Sequence, residues 1–343
     1  MRSIFLASCC LPIIFGHSAW AKTADWSVAS TNVAISSELT EVKSDLDYAI
    51  ASPDYIVDPA AYAEPSESGP EFALRRIDTP GFGPYSASKF AAQTSDVWID
   101  ASALLAANLY FGMSSTDWGK QKFHFEDEGW FGKDTYALGM DKLGHAYGGY
   151  LYSDYFTQRI AHSSGDSTGA GITGAILGFG MQSVVEILDG FSSDYGFSNS
   201  DLIADGVGAG FSMLRSTVPG LSSKLDFRME YNPWATGSQE FSPFNDYTSQ
   251  KYLLALKLSG FEQFQDTPLR FVELQAGYFA RGFGQKGQPA TSELRREPYV
   301  AIGFNFAELF EAESVRHTAP AEFAQRAFEV FQVPYSYATT VYK

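Results

Sequence analysis

The chain has 343 residues and a formal net charge of −16, with 45% hydrophobic and 15% aromatic residues. The acidic balance excludes nucleic acid and other polyanions as expected partners, because their charge would be repelled. The apolar fraction suffices for a core, and the length allows two domains. Both cysteines, Cys9 and Cys10, lie in the first 21 residues. A mature chain that starts after them would have no thiol for a disulfide, a zinc–thiolate site or a cysteine nucleophile.

Residues 1–21 are typical of a secretory signal peptide. Arg2 precedes an apolar run from Ile4 to Phe15, and Ala19-Trp20-Ala21 fits the small-x-small rule for cleavage after Ala21. A lipoprotein signal is the alternative, because Leu6-Ala7-Ser8-Cys9 has the letters of a lipid-modified cysteine. Few apolar residues precede that cysteine, which favours the cleaved signal and an exported protein.

Residues 22–90 are predicted to form an arm. Serine, alanine, proline and acidic residues dominate it, and sustained apolar patterns are few. Such a segment buries too little apolar surface to offset the entropy of ordering it. A tether or a wrapping arm is expected, with a short helix at 36–50 as an option.

Residues 91–216 are predicted to form a domain of about four helices. The periodicity and the capping residues place them at Ser95–Phe111, at Met140 to about His162, at Gly169–Asp189, and from a Ser198 or Ser200 cap to about Met213. Short connections predict antiparallel neighbours, and the many glycines of the last two helices predict close packing. The uncharged run 167–185 is also long enough to span a bilayer, although its glycines suit a buried helix better.

A candidate site follows from the same helices. Asp141 and His145 stand four residues apart and therefore project from one helix face. Glu186 near the end of the third helix and Asp205 near the start of the fourth would share that end of a bundle. These four residues are our candidate acid–base set and our candidate ligands for one divalent metal ion. The alternative is a helix-start carboxylate beside a satisfied core histidine.

Other residues near this end receive simpler interpretations. We expect Asp201 to cap a helix, Asp189 to end one and Lys142 to pair with an acid. The aromatic loop 123–134 would cover the site, with Trp130 and Phe131 as a lid.

Beyond Pro219 the pattern changes to period two. It predicts strands at Tyr252–Phe261, Leu269–Gly282 and Tyr299–Phe310, with Asp226–Tyr231 as a fourth. So few strands cannot close a transmembrane barrel. An amphipathic helix at Pro320–Phe331 would cover the sheet, or alternatively contact a membrane surface. The predicted class is α+β: a Gly-rich helical bundle, then a small antiparallel β-meander in residues 217–343 and a C-terminal helix.

An ordered set of motifs resembles a known family. The set comprises Trp130-Phe131-Gly132-Lys133-Asp134, Asp141-Lys142-Leu143-Gly144-His145, Glu186 with Asp189-Gly190-Phe191, and Asp201 through Ala209. Over about residues 95–215 it resembles the uncharacterised family of predicted periplasmic lipoproteins typified by YfiM. It is more distantly similar to VanZ-like membrane proteins, which share an Asp-Lys-x-x-His helix and a later Asp-rich helix. The resemblance implies a helical bundle in the Gram-negative periplasm or on the periplasmic face of the outer membrane, and no agreed activity.

Two functional hypotheses result. The first is an exported, non-catalytic binding or structural component that contacts an envelope protein or lipid, with membrane association as one form. The second is a metal-assisted or His/Asp acid–base hydrolase that acts on an envelope lipid or phosphate ester. The sequence has no Gly-x-Ser-x-Gly elbow, phosphate-binding loop or His-Glu-x-x-His motif, which favours the first. The oligomeric state has no signal in the sequence.

Overall fold

The computed structural model describes residues 85–340 apart from 133–134, 237–240, 244, 285–289, 291 and 312–317. The expected signal peptide, almost all of the expected arm and its optional helix lie outside the described residues. Within them the chain is a mixture of helices and one six-stranded sheet. The predicted α+β class is confirmed at this level.

Helices dominate the first half of the described chain. Their bounds are α1 Ala87–Asp96, α2 Trp98–Ser115, α3 Met140–Ser164, α4 Ser167–Asp189 and α5 Asn199–Thr217, followed later by α6 Pro233–Thr236, α7 Glu262–Gln265 and α8 Ala319–Val330. The sequence analysis missed α1, which begins inside the expected arm. Ser86 starts it, because the Ser86 side chain accepts a hydrogen bond from the Lys89 amide.

Helices α3, α4 and α5 pack against one another through small residues. A Cβ added at Gly174 would lie 2.6 Å from the Thr157 amide nitrogen, and one at Gly178 would lie 2.7 Å from the Ser153 Cα. A Cβ at Gly208 would lie 2.7 Å from the Ala146 carbonyl carbon. The glycines predicted to permit close approach therefore do so between α3 and both of its neighbours.

One helix in the described part of the chain, Thr168–Asp189, is long and apolar enough to cross a membrane. A core helix of a soluble protein can have the same length and composition. The close contacts of α4 with α3 are those of a helix packed within a protein.

The sheet has more strands than predicted. Its strands are β1 Leu225–Tyr231, β2 Gln250–Lys257, β3 Val272–Arg281, β4 Arg295–Phe304, β5 Phe331–Gln332 and β6 Tyr337–Thr339. Their order is β5-β1-β2-β3-β4-β6. Neighbours among β1 to β4 are antiparallel, β6 is antiparallel to β4, and β5 is parallel to β1.

The two added strands explain the difference. β5 and β6 have only two and three residues, so neither is long enough to show a period-two pattern. The predicted strands were also too long. Residues 258–260, 268–271 and 306–310 form 3₁₀ turns instead.

The helical part and the sheet share one hydrophobic core. Tyr147 and Tyr150 of α3 pack against Phe227 of β1, and Tyr147 donates a hydrogen bond to the Val330 carbonyl at the end of α8. Helix α8 contacts β1 and the turn 306–310, as expected for a helix that covers the sheet. Phe323 of α8 is 41% exposed, so the apolar face of this helix is only partly covered.

Candidate functional site

Three helices bring the predicted site residues together. Asp141 and His145 lie in the first turns of α3, Glu186 in the last turn of α4, and Asp205 in the second turn of α5. Helices α3 and α5 cross closely, because Gly149 faces the Asp205 backbone and Gly208 faces the Ala146 backbone. This crossing sets His145 beside Asp205.

The His145 imidazole is surrounded by carboxylates on both edges. Its Nδ1 atom lies 3.2 Å from Asp205 Oδ1 and 3.4 Å from Glu186 Oε1. Its Nε2 atom lies 3.8 Å from Asp141 Oδ1 and 3.8 Å from Asp201 Oδ1. The three carboxylates named from the sequence therefore meet around His145, and Asp201 joins them.

Asp201 has a different role from the one predicted. Ser198 is the cap of α5, because its hydroxyl accepts a hydrogen bond from the Asp201 amide. The Asp201 carboxylate instead accepts from the Lys142 ammonium. It is 4% exposed, so it belongs to the buried site.

Lys142 connects the carboxylates on the Nε2 edge. Its Nζ lies 2.6 Å from Asp141 Oδ2 and 3.2 Å from Glu128 Oε2, besides its contact with Asp201. The expected pairing of Lys142 with an acid is present. Glu128 was not predicted: it comes from the aromatic loop, and no spacing in the sequence relates that loop to α3.

Neutral groups complete the site on the Nδ1 edge. Gln182 Nε2 donates to Asp205 Oδ1 at 2.9 Å, and the Ser198 amide donates to Glu186 Oε2 at 3.3 Å. Asp205 is fully buried, and its second oxygen, Oδ2, has no hydrogen-bond partner in the part of the chain that the structure describes. Gln182, Glu186 and Asp189 follow one another at helical spacing on α4, but only Gln182 and Glu186 contact the site. Asp189 instead accepts from Trp118 Nε1 at 2.6 Å.

Burial and charge together set the protonation states. Burial raises the pKa of Glu186 to about 9; the His145 imidazolium opposes that shift and the neighbouring aspartates add to it. Burial lowers the pKa of His145, but Asp201, Asp205 and Asp141 outweigh it and raise that pKa well above the usual value. The same balance with Asp141 and Asp201 raises the pKa of Lys142. Near neutral pH the site therefore holds a neutral Glu186 beside two cations.

The aromatic loop reaches both the helices and the sheet. Phe123 and Phe125 pack against Phe197, and Phe125 bridges to Phe197 through the backbone. Phe131 packs edge to face on Tyr278 of β3. The described part of the loop thus fastens the helix ends to the sheet, and it adds Glu128 to the site. Trp130 is 46% exposed.

Chemically the site is a histidine between two pairs of carboxylates with restricted access. About 17% of the His145 side chain is exposed, whereas the side chains of Asp141, Glu186, Asp201 and Asp205 are at most 7% exposed. Carboxylates and an imidazole suit a divalent ion or a proton-transfer pair. A substrate would reach this histidine only through a narrow opening.

Comparison with known proteins identifies one segment. Residues 127–217 match the family described as "Predicted periplasmic lipoprotein (DUF2279)". No curated protein and no solved structure matches the chain. The matched segment contains every member of the site, from Glu128 to Asp205. It confirms the predicted family and agrees with the predicted periplasmic location. Over residues 127–217, about a quarter of its length, the chain is similar to the predicted periplasmic lipoproteins of the DUF2279 family.

Proposed function

We propose that this chain is a non-catalytic component of the cell envelope that attaches to a membrane surface through the apolar part of its sheet that the helices leave uncovered. One observation carries the proposal: α3 covers only part of this apolar face, at Phe227 and Tyr252, and the rest is open to solvent, while the opposite face of the same strands carries a buried charge network. Soluble proteins bury the apolar face of an antiparallel sheet and expose the polar one. This sheet leaves part of its apolar face exposed and buries charged side chains on the other face.

Two cross-strand rows form the exposed apolar face. Leu254, Ala276 and Val300 are register partners on β2, β3 and β4, and Leu256, Leu274 and Ile302 are the next row. Leu254 and Leu274 are 42% and 45% exposed, and Val300 and Ile302 are 57% and 59% exposed. Contiguous apolar patches of this kind mark interaction surfaces. A groove of about 570 Å³ beside them is lined by Tyr252, Leu254, Val300 and their neighbours.

Charged side chains on the opposite face of the sheet explain why the strands do not bury their apolar rows instead. Asp226 on β1 lies 2.6 Å from the Arg228 Nη2 atom and 2.8 Å from the Lys257 Nζ atom. Arg228 also donates to Glu273 of β3 at 2.9 Å. Asp226, Arg228 and Glu273 are at most 2% exposed. Exchanging the two faces of these strands would break this paired network, so the apolar rows stay on the other face.

A lipid surface fits the two rows better than a protein. All six side chains are aliphatic, and none offers a hydrogen bond to fix the register of a protein partner. Lys224 and Arg270 stand at the same ends of the strands, over the rings of Phe261 and Phe271. Arg270 also pairs with Glu308 at 3.7 Å, so the apolar rows rather than positive charge would hold the membrane. The family description, a lipoprotein, also supports a location next to a membrane.

Flotation with vesicles of zwitterionic and anionic phospholipid tests the proposal. We expect the wild-type chain to float, and the double variant Leu274→Gln/Ile302→Thr to float at least about tenfold less, because each large side chain contributes roughly 1–2 kcal/mol on leaving water. Ile203→Gln is the matched control, since Ile203 is 55% exposed on α5 and away from the sheet.

Three results would overturn this assignment. The first is a wild type that stays with the unbound protein at every lipid composition. The second is equal loss of flotation by the two variants, and the third is a solution dimer that the sheet variant abolishes. The last result would make a second copy of the chain the partner.

A hydrolase is the second candidate, and one observation favours it. His145 is the most exposed member of the site and lies beside Glu186, an acid held neutral near pH 7, which resembles an acid–base pair. The resemblance to VanZ-like proteins points to the same envelope substrates. Hydrolysis of an activated phosphate ester, compared between wild type and His145→Gln, separates the candidates. Turnover that disappears in a folded variant would replace the binding role with a catalytic one.

A further inference from the structure

We propose that the Nδ1 edge of His145 binds one borderline divalent cation, of the zinc class, with Glu186 and Asp205 as its other protein ligands. This inference is independent of the membrane contact, since the site and the exposed rows of the sheet share no residue.

Distances on this edge suit a metal ion. Zinc bonds to histidine nitrogen and carboxylate oxygen are about 2.0–2.1 Å long, so tetrahedral ligand atoms stand about 3.3 Å apart. His145 Nδ1 lies 3.2 Å from Asp205 Oδ1 and 3.4 Å from Glu186 Oε1. The ligand atoms of the three residues all lie within 4.8 Å of one another. A small adjustment of the side chains therefore allows all three to bind one ion.

The buried oxygen Asp205 Oδ2 is a separate indication of a missing ligand. The Asp205 side chain is fully buried, and Oδ2 has no hydrogen-bond partner among the described residues. A buried carboxylate oxygen without a partner carries a large desolvation cost. A cation next to it would remove that cost. It lies on the same carboxylate group whose Oδ1 atom faces His145.

Charge at the site also calls for a cation. Even with Glu186 neutral, four carboxyl groups, Glu128, Asp141, Asp201 and Asp205, surround two cations, Lys142 and His145, among the described residues. Buried carboxylates are normally paired or bound to metal. A divalent ion supplies the positive charge that these side chains lack.

The Nε2 edge has the form of an outer shell. Metal-binding histidines usually direct the other ring N–H to a carboxylate, which fixes the tautomer and the ring orientation. Here Asp141 and Asp201 face Nε2, each at 3.8 Å, and Lys142 holds both of them. Because Lys142 already occupies these two carboxylates, they are positioning residues, and the ion belongs on the Nδ1 edge. The geometry thus divides the four ligands named from the sequence: Asp141 moves to the outer shell.

Zinc and cobalt binding to the purified full-length chain tests the site. After removal of metal with chelator, we expect the wild type to bind one Zn²⁺ per chain, and to show the visible absorption of tetrahedral Co²⁺ when cobalt is added. Glu186→Gln and Asp205→Asn each keep the side-chain shape and remove one anionic ligand. Each should weaken zinc affinity at least about 100-fold, beyond the 10- to 100-fold typical of outer-shell changes.

Asp189→Asn is the matched control, because Asp189 follows Glu186 by three residues yet its carboxylate binds Trp118. It should bind zinc as the wild type does. Circular dichroism of each apo variant establishes folding, and if one ligand variant fails to fold, the other decides. Absence of zinc binding by the folded wild type, or equal weakening by Asp189→Asn, would overturn the site. Neither result changes the outcome of the vesicle flotation experiment, so the metal site and the membrane contact can be refuted independently.

Discussion

The crossing of α3 and α5 can be tested with one added methyl group. At Gly208 an ideal Cβ would lie 2.7 Å from the Ala146 carbonyl carbon and 2.8 Å from the Tyr150 amide nitrogen. Both distances are shorter than 3.0 Å, which real Cβ atoms essentially never show. Both obstacles are backbone, so no side chain can rotate away. Gly208→Ala must therefore push the helices apart along the line that joins His145 to Asp205.

The magnitude follows from two opposing terms. Overpacking of a core costs roughly 1–3 kcal/mol, with backbone obstacles at the upper end. The change from glycine to alanine in a helix returns about 1 kcal/mol. We expect Gly208→Ala to lose about 2 kcal/mol net. Gly210→Ala is the matched control on the same helix, because nothing lies within 4 Å of its Cβ position, and it should gain up to about 1 kcal/mol.

Urea unfolding followed by circular dichroism measures this difference of about 3 kcal/mol between the two variants, with metal excluded from all samples. Two-state behaviour is checked by a second probe. Equal stability of the two variants would refute the reasoning. It would mean that α3 and α5 do not cross at Gly208, and the contact between His145 and Asp205 would then lose its support.

Two further predictions concern buried charge. With chelator present, the free energy of unfolding of the wild type should fall between pH 6 and 8 by about 1.4 kcal/mol per pH unit more than that of Glu186→Gln. The reason is that folded Glu186, with its pKa raised from 4.5 to about 9, keeps a proton that the unfolded chain releases. Parallel pH profiles would show that Glu186 is ionised in the fold. Asp226→Asn should lower the free energy of unfolding by about 3–5 kcal/mol, since it leaves Arg228 and Lys257 buried without their shared carboxylate. Asp117→Asn is the control: Asp117 forms a surface pair with Lys120, so this variant should change stability by less than about 1 kcal/mol. Urea titration checks both, and equal costs for the two aspartates would contradict the buried network.

The helices that carry the site could be predicted because their signals are local. The start of α3 at Met140 and the end of α4 at Asp189 agree with the sequence analysis, and the Ser198 cap fixes α5. Antiparallel order then suffices to bring His145 near Glu186 and Asp205. The division of the carboxylates between the two edges of the imidazole could not be predicted, since it depends on where Lys142 reaches. Glu128 arrives from a loop with no periodic pattern.

The sheet separates what the sequence determines from what the tertiary structure decides. Alternation along β3 sets Leu274 and Ala276 on one face and Glu273 and Gln275 on the other, because successive side chains of a strand point to opposite sides. It does not determine which face is inside. Glu273 and Gln275 are buried and Leu274 is 45% exposed, because Arg228 from β1 pairs with Glu273 across the sheet. That pairing joins residues 45 positions apart in the chain, so only the folded register creates it.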